Sequence, residues 1–316
     1  MGRRAALLVI LTSLILVPLA AESLQDDYRS PPSPAVSFVA PDSVAPGDVL
    51  RVVVSGDPSV HESRLVREDG TTVLTAEPIE LRMTDAVTLL VFLFGIDSTL
   101  APGPYTLSAH SESGAALLAR ELTIVERAFR NEEIALNSAL SSLRRDYDPR
   151  KVEETRVLSD LILSRDPDAL YNPGPLVWPM PEDTRRTSFF GDRRTYLYTG
   201  GERASSIHVG LDLAAPVGTP VFSSGAGVVR MARSRIVTGD TVVIEHLPGV
   251  YSLYYHLDEI FVEEGEEIAV EALIGTVGST GLATGPHLHW EIRVAGVPVS
   301  PEDATKQALL FGTPAP

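Results

Sequence analysis

Residues 220–257 read PVFSSGAGVVRMARSRIVTGDTVVIEHLPGVYSLYYHL, and this stretch decides the class of fold. Its runs PVFSSGAGVVRMA, TVVIEH and VYSLYYHL are β-like segments set in glycine-rich sequence. The pattern continues through EEIAVEALIGTVG (266–278) and HLHWEIRV (287–294), and no strong helical period appears between Gly191 and Val299. Without βαβ alternation, a Rossmann or barrel enzyme is disfavoured. The expectation is an all-β domain over 173–303, entered through the proline-rich NPGPLVWPMP that begins at Asn172, with a tail at 304–316.

Upstream, residues 36–126 show short runs such as VLRVVV, VTLLVFLF and LLARELTIV, broken by turn residues such as Ala45-Pro46-Gly47-Asp48. This spacing predicts an immunoglobulin-like β-sandwich. His61 and His110 fall here without a partner at ligand spacing, so they read as exposed or hydrogen-bonded histidines. Residues 127–172 read as a helical hairpin connector. Asn131 is placed to cap a first helix carrying Glu132 and Glu133 in its first turn, with Ile134, Leu136, Leu140 and Leu143 at helical intervals. Asp148-Pro149 supplies a cap and first-turn proline for a second helix, whose apolar face is Val157, Leu158, Leu161 and Ile162. The hairpin is a spacer on this reading; a lid over a site is the alternative. The whole chain is therefore expected to be mainly β.

Hydrophobic residues at 44% and charged residues at 22% suit a globular chain. The net charge of −16 disfavours nucleic acid as a partner, because phosphates would be repelled. Arg3 and Arg4 precede an apolar stretch from Ala5 to Ala21, followed by small residues. This reads as an export signal over 1–23 rather than a buried amino-terminal helix, with a polar, proline-rich linker at 24–35. It places the protein in the periplasm or cell envelope. An uncleaved segment, close to the ~20 residues that span a bilayer, would instead give membrane association. The chain has no cysteine, so thiolate nucleophiles, disulfides and cysteine-based zinc sites are excluded.

Five of the seven histidines fall between positions 208 and 289, where random placement would put about two. His208-Val-Gly-Leu-Asp212 sets an imidazole and a carboxylate on one side of an extended segment. His287-Leu-His289 sets two more imidazoles on one face, with Leu288 and Trp290 turned toward a core. Two histidines and a carboxylate satisfy catalytic zinc and leave a position for water. Zinc lowers that water's pKa to ~7. With His256 in YYHL there are four imidazoles, more than the metal needs, and a spare pair would serve proton transfer to a leaving amine. Either pair alone is weak; together, in glycine-rich β sequence, they point to a site. His246 in TVVIEH fits a structural strand position. Phe190-Gly191-Asp192-Arg193-Arg194 reads either as a segment bordering a site, where either arginine could meet an anionic peptide, or as a solvated loop.

His-x-x-x-Asp, then Tyr-x-x-Tyr-His-Leu, then Gly-x-Thr-Gly-x-x-Thr-Gly-Pro-His-Leu-His-Trp-Glu, resembles the lysostaphin/LytM-type zinc metallopeptidases. The segments are SSIHVGLDLAAPVGTPVFSSGAGVV (205–229), GVYSLYYHLDEI (249–260) and GSTGLATGPHLHWEI (278–292), and the likeness runs roughly from Leu176 to Pro301. The resemblance implies His208, Asp212 and His289 as ligands of one zinc ion, and His256 and His287 as the catalytic pair. It further implies an antiparallel sheet crossed by a groove, and hydrolysis of peptidoglycan peptides. The other reading is a catalytically silent member that binds the wall or activates a separate hydrolase. One departure stands out: the family commonly has glycine where this chain has Glu271 in VEALIGTVG, which puts the local turn in question.

Overall fold

The computed structural model describes residues 36–310, apart from 57–58 and 85–86. The expected export signal and linker lie outside the described residues. Strands dominate, joined by the helices Ser138–Arg145, Pro149–Leu163 and Pro301–Ala304. No described helix is long and apolar enough to cross a membrane.

Residues 37–124 form two facing sheets. One has the order Ser37–Val39, Val49–Ser55, Val87–Gly95, Ile79–Thr84; the other runs Ser43–Val44, Ala116–Ile124, Gly103–Ser111, Val60–Arg67, Thr72–Ala76. Leu50, Val52, Val54, Phe92 and Phe94 meet Leu65, Leu107 and Leu122 between them. The alternate residues of the first sheet, Val49, Ile79, Leu81, Val91 and Leu93, face the other way. They join the core of the C-terminal half, with Leu247, Val250, Val294 and Val299. Burial on both faces explains why VTLLVFLF lacks the polar alternation of an ordinary sandwich strand. Each such side chain contributes about 1.5–3 kcal/mol. Leu309 and Leu310 enter the same seam, and Arg51 Nη1 donates to the Leu310 carbonyl at 3.1 Å.

The C-terminal half is built on a ten-stranded sheet whose main path is Arg186–Ser188, Leu211–Leu213, Leu288–Val294, Val250–Ile260, Gly239–Leu247, Gly227–Arg235, Glu267–Ile268. The central strand Val250–Ile260 is buried on both sides. Val250, Tyr254 and Leu257 belong to the large core, and Tyr251, Leu253 and Tyr255 to the opposite face. That face is covered by Val157, Leu158, Leu161 and Ile162 of helix Pro149–Leu163, the apolar stripe expected of it. Asp148 caps this helix by accepting from Arg150 N at 2.8 Å, and Pro149 occupies its first turn.

The first helix differs from expectation. Asn131–Ala135 is a strand, paired in parallel with Arg193–Leu197, which pairs in turn with Arg203–Ile207. The helix starts only at Ser138, capped by Asn137, whose side chain accepts from Leu140 N at 2.9 Å. Arg193 N donates to Arg130 O at 2.7 Å and Leu136 N to Leu197 O at 2.9 Å, so the neighbouring strand satisfies backbone groups that a helix would have paired internally. Tertiary pairing here overrides a local helical preference.

Candidate metal centre and groove

Register assembles the site. Strand Leu211–Leu213 sets Asp212 opposite His289, and Val250–Ile260 sets Tyr255 opposite His289 on its other side. The adjacent row, Leu211, Trp290 and Tyr254, belongs to the core on the far face, as the alternation of HLHW requires. His208 lies just beyond strand Arg203–Ile207, and the chain bends at Gly210 before Asp212. The two meet through this bend rather than along a straight strand. Gly210 is obligatory there: a Cβ would lie 2.5 Å from Trp290 O and 2.8 Å from His289 Nε2.

Three donor atoms converge. His208 Nε2 is 3.1 Å from Asp212 Oδ1 and 2.9 Å from His289 Nδ1, and His289 Nδ1 is 2.7 Å from Asp212 Oδ1. Backbone carbonyls orient the other rings. A carbonyl can only accept, so each ring nitrogen that meets one carries the proton. His208 Nδ1 donates to Phe189 O at 2.8 Å, His256 Nδ1 to Thr280 O at 2.7 Å, and His287 Nδ1 to Gly285 O at 2.8 Å. In the neutral rings Nε2 is then a lone-pair acceptor. His289 is mounted the other way, with Nδ1 inward and Nε2 donating to Glu291 Oε1 at 3.0 Å; Arg293 Nε holds Glu291 Oε2 at 2.7 Å. A carboxylate behind a ligating imidazole is a usual partner of metal-binding histidine.

His256 and His287 stand together, ring centroids 4.8 Å apart, with His287 Nε2 3.8 Å from Asp212 Oδ1. Tyr255 stacks on His289 at 5.3 Å, the rings 6° from parallel. His256 has φ 62°, a left-handed conformation uncommon for a residue with a side chain. Its backbone N–H bond to Thr238 O at 2.9 Å and its ring bond to Thr280 hold it there.

The electrostatics call for positive charge. Burial pushes His208 down, and it pushes His256 down to about 3, helped by His287 and His289 nearby. Burial also opposes a proton on His289, but hydrogen bonds to Asp212 and Glu291 outweigh it and raise the group to about 9. Burial opposes charge on Asp212 as well, yet His208 and His289 hold its carboxyl well below the usual range. Three inward atoms, two imidazole nitrogens and one carboxylate oxygen, thus share one buried spot. That donor set fits a divalent cation of the zinc type.

A cavity of about 540 Å³ opens beside these groups, lined among others by Glu132, Leu136, Arg185, Thr284 and His287. Residues 132–136, in and just after the strand that the sequence reading took for helix, form part of its wall. The two arginines expected to meet a ligand are engaged elsewhere. Arg193 donates to Ser98 O at 2.7 Å and lies over Phe129, while Arg194 bonds Asp212 Oδ2 at 2.6 Å. His246 is fully buried away from the site, bonded to Ala226 O at 2.8 Å and Ser252 Oγ at 2.7 Å. His110 bonds Ser108 and Gly114, and His61 is exposed. Sequence reasoning missed Glu291, although its place two residues after His289 on one strand was a readable signal. It also missed Glu132 and Gly210.

Residues 206–301 match Peptidase family M23, a span that holds all five site residues. Over that span the chain is similar to M23 peptidases. The M23 region is 41% identical over 123 residues to peptidoglycan DD-endopeptidase ShyA of Vibrio cholerae, covering 39% of this chain and 28% of that protein. It is 43% identical over 132 residues to DD-carboxypeptidase/endopeptidase Mpg of Neisseria meningitidis, covering 42% of this chain and again 28% of the relative. The match therefore spans little more than a quarter of these relatives' lengths. A Pseudomonas aeruginosa structure described as peptidase M23 is similar over 83% of this chain and 96% of its own, with a TM-score of 0.54 and 24% identity. At that identity the likeness bears on the fold, and it extends well beyond the M23 region.

Proposed function

We propose that the protein is a zinc metalloendopeptidase acting on peptidoglycan peptides outside the cytoplasm, in the periplasm or cell envelope. The observation that carries this reading is the convergence of His208 Nε2, Asp212 Oδ1 and His289 Nδ1 in one buried cluster. These three side chains would hold the ion. When bound, zinc polarises a carbonyl oxygen and acidifies water. The remaining work falls to the chain's own groups. His256 and His287, both with Nδ1 tied to carbonyls, present Nε2 toward the centre, where one can accept a proton and the other return it to a departing amine. Burial keeps His256 neutral and competent as an acceptor at neutral pH. Arg185, exposed on the groove wall and without an ion pair among the described residues, is the cation available to a substrate carboxylate. In this reading the sandwich over 36–126 is a scaffold for the peptidase half, since the two share a core.

The test is digestion of defined peptidoglycan by the full chain, with released fragments read by mass spectrometry. Cleavage that disappears with a chelator, returns with zinc, and is absent from His208→Ala supports the proposal. A wild-type chain that binds the wall but releases no new amines would favour the silent, wall-binding alternative.

A further inference from the structure

We infer that Glu132 and Arg194 are positioning residues for the metal centre, so that the segment leading out of the sandwich completes the site. This rests on the metal reading above. Asp212 divides its two oxygens between two tasks. Oδ1 faces His208 and His289 at 3.1 and 2.7 Å, whereas Oδ2 accepts from Arg194 Nη2 at 2.6 Å. Arg194 is largely buried, its side chain 11% exposed, and its Nε donates to Glu132 Oε2 at 3.0 Å. Glu132 in turn accepts from Ser188 Oγ at 3.1 and 3.0 Å. Parallel pairing sets Glu132 beside Arg194, so backbone register aligns the first link of the chain.

The physical consequence concerns one torsion. An aspartate with a single anchored oxygen can rotate, chelate through both oxygens or swing away. The guanidinium, planar and always charged, occupies Oδ2 and leaves Oδ1 alone for the ion. It also offsets the second negative charge near the site, and Glu132 fixes the guanidinium plane. Removing such an outer partner costs typically about 10–100-fold in metal affinity.

The experiment measures zinc affinity of the full chain by competition with a chelator of known strength, for wild type, Arg194→Ala, Arg194→Lys, Glu132→Gln and the Glu132→Gln/Arg194→Ala double variant. Metal-free melting is followed in parallel. Arg194→Ala should weaken zinc by about 10–100-fold, with Arg194→Lys recovering part of the loss. Glu132→Gln should weaken it by a smaller factor, about threefold to tenfold. The double variant should be no weaker than Arg194→Ala alone, because Glu132 acts through Arg194. A purely structural role would lower metal-free melting and leave zinc affinity of the folded protein untouched. Should Arg194→Ala fail to fold, Glu132→Gln carries the test, since its backbone pairing is retained. Tight zinc binding by wild type with unchanged affinity in Glu132→Gln, or losses that multiply in the double variant, overturns the inference while leaving the metal reading standing. No zinc binding by wild type overturns both.

Discussion

Replacing Gly210 with alanine adds a single methyl group where the backbone of Leu288–Val294 crosses closest behind the metal cluster. The new Cβ would sit 2.5 Å from Trp290 O, 2.8 Å from His289 Nε2 and 2.9 Å from Glu291 Cγ, against the 3.4 Å at which ordinary contact begins. The strand must therefore recede by about 0.9 Å, and overpacking of this kind costs about 1–3 kcal/mol. The displacement falls on the bond between His289 Nε2 and Glu291, the outer partner of an inward-facing donor. Metal affinity should accordingly drop by about 10–100-fold. Two assays separate the effects: urea unfolding of metal-free Gly210→Ala for the packing cost, and chelator competition for zinc. If the variant unfolds at the wild-type urea concentration and holds zinc equally well, the argument that strand proximity shapes the site is wrong.

Glu271 sits at φ 60° and is exposed, a conformation that costs an ordinary residue about 1–2 kcal/mol. Glu271→Gly should therefore stabilise by about 1 kcal/mol after glycine's greater unfolded-state freedom is deducted; a destabilised variant in urea unfolding would contradict this. Burial lowers His246 to about 4, so the unfolded chain takes up a proton near pH 6.5 that the folded chain refuses. Stability from this group is full above 6.5 and falls by roughly 3 kcal/mol as pH drops toward 4. An NMR titration should show the His246 ring unchanged from pH 8 to 5, and a midpoint near 6.5 would refute it. If the proposed activity holds, Arg185→Glu should raise KM for anionic peptide substrates about tenfold, the order of one charge-assisted hydrogen bond, with kcat nearly constant. Equal KM values would remove Arg185 from substrate binding.

The convergence of the candidate metal ligands was partly legible because His289 and its neighbours follow simple strand periodicity. His287 and His289 share a face, and Leu288 and Trp290 lie in the core, as any two-residue alternation demands. The meeting of His208 with Asp212 was also anticipated, but for an incomplete reason, since a bend at Gly210 makes it. The strand Asn131–Ala135 was misread because Asn, Glu, Glu and then spaced apolar residues imitate a capped helix. A competing signal was present: Glu132, Ile134 and Leu136 alternate with Glu133 and Ala135, and that period matches the alternation of burial along the segment. Choosing between periods needed the partner strand Arg193–Leu197, which lies far along the chain. The turn flagged at Glu271 was sound, because a position that favours glycine retains its backbone geometry when another residue occupies it. The run VTLLVFLF was read only as a sandwich strand, although its lack of polar alternation was a signal of burial on both faces.

What covers the second face bears on how such a protein can be taken apart. Val49, Ile79, Leu81, Val91 and Leu93 dock on Leu247, Val250 and Val294, so cutting the gene between the halves would bare a greasy surface on each product. Neither piece could be shuffled onto a foreign partner as an interchangeable cassette unless these positions were recoded with it. Substitutions at 91 or 93 should therefore couple in stability to changes across the joint, for example at 294.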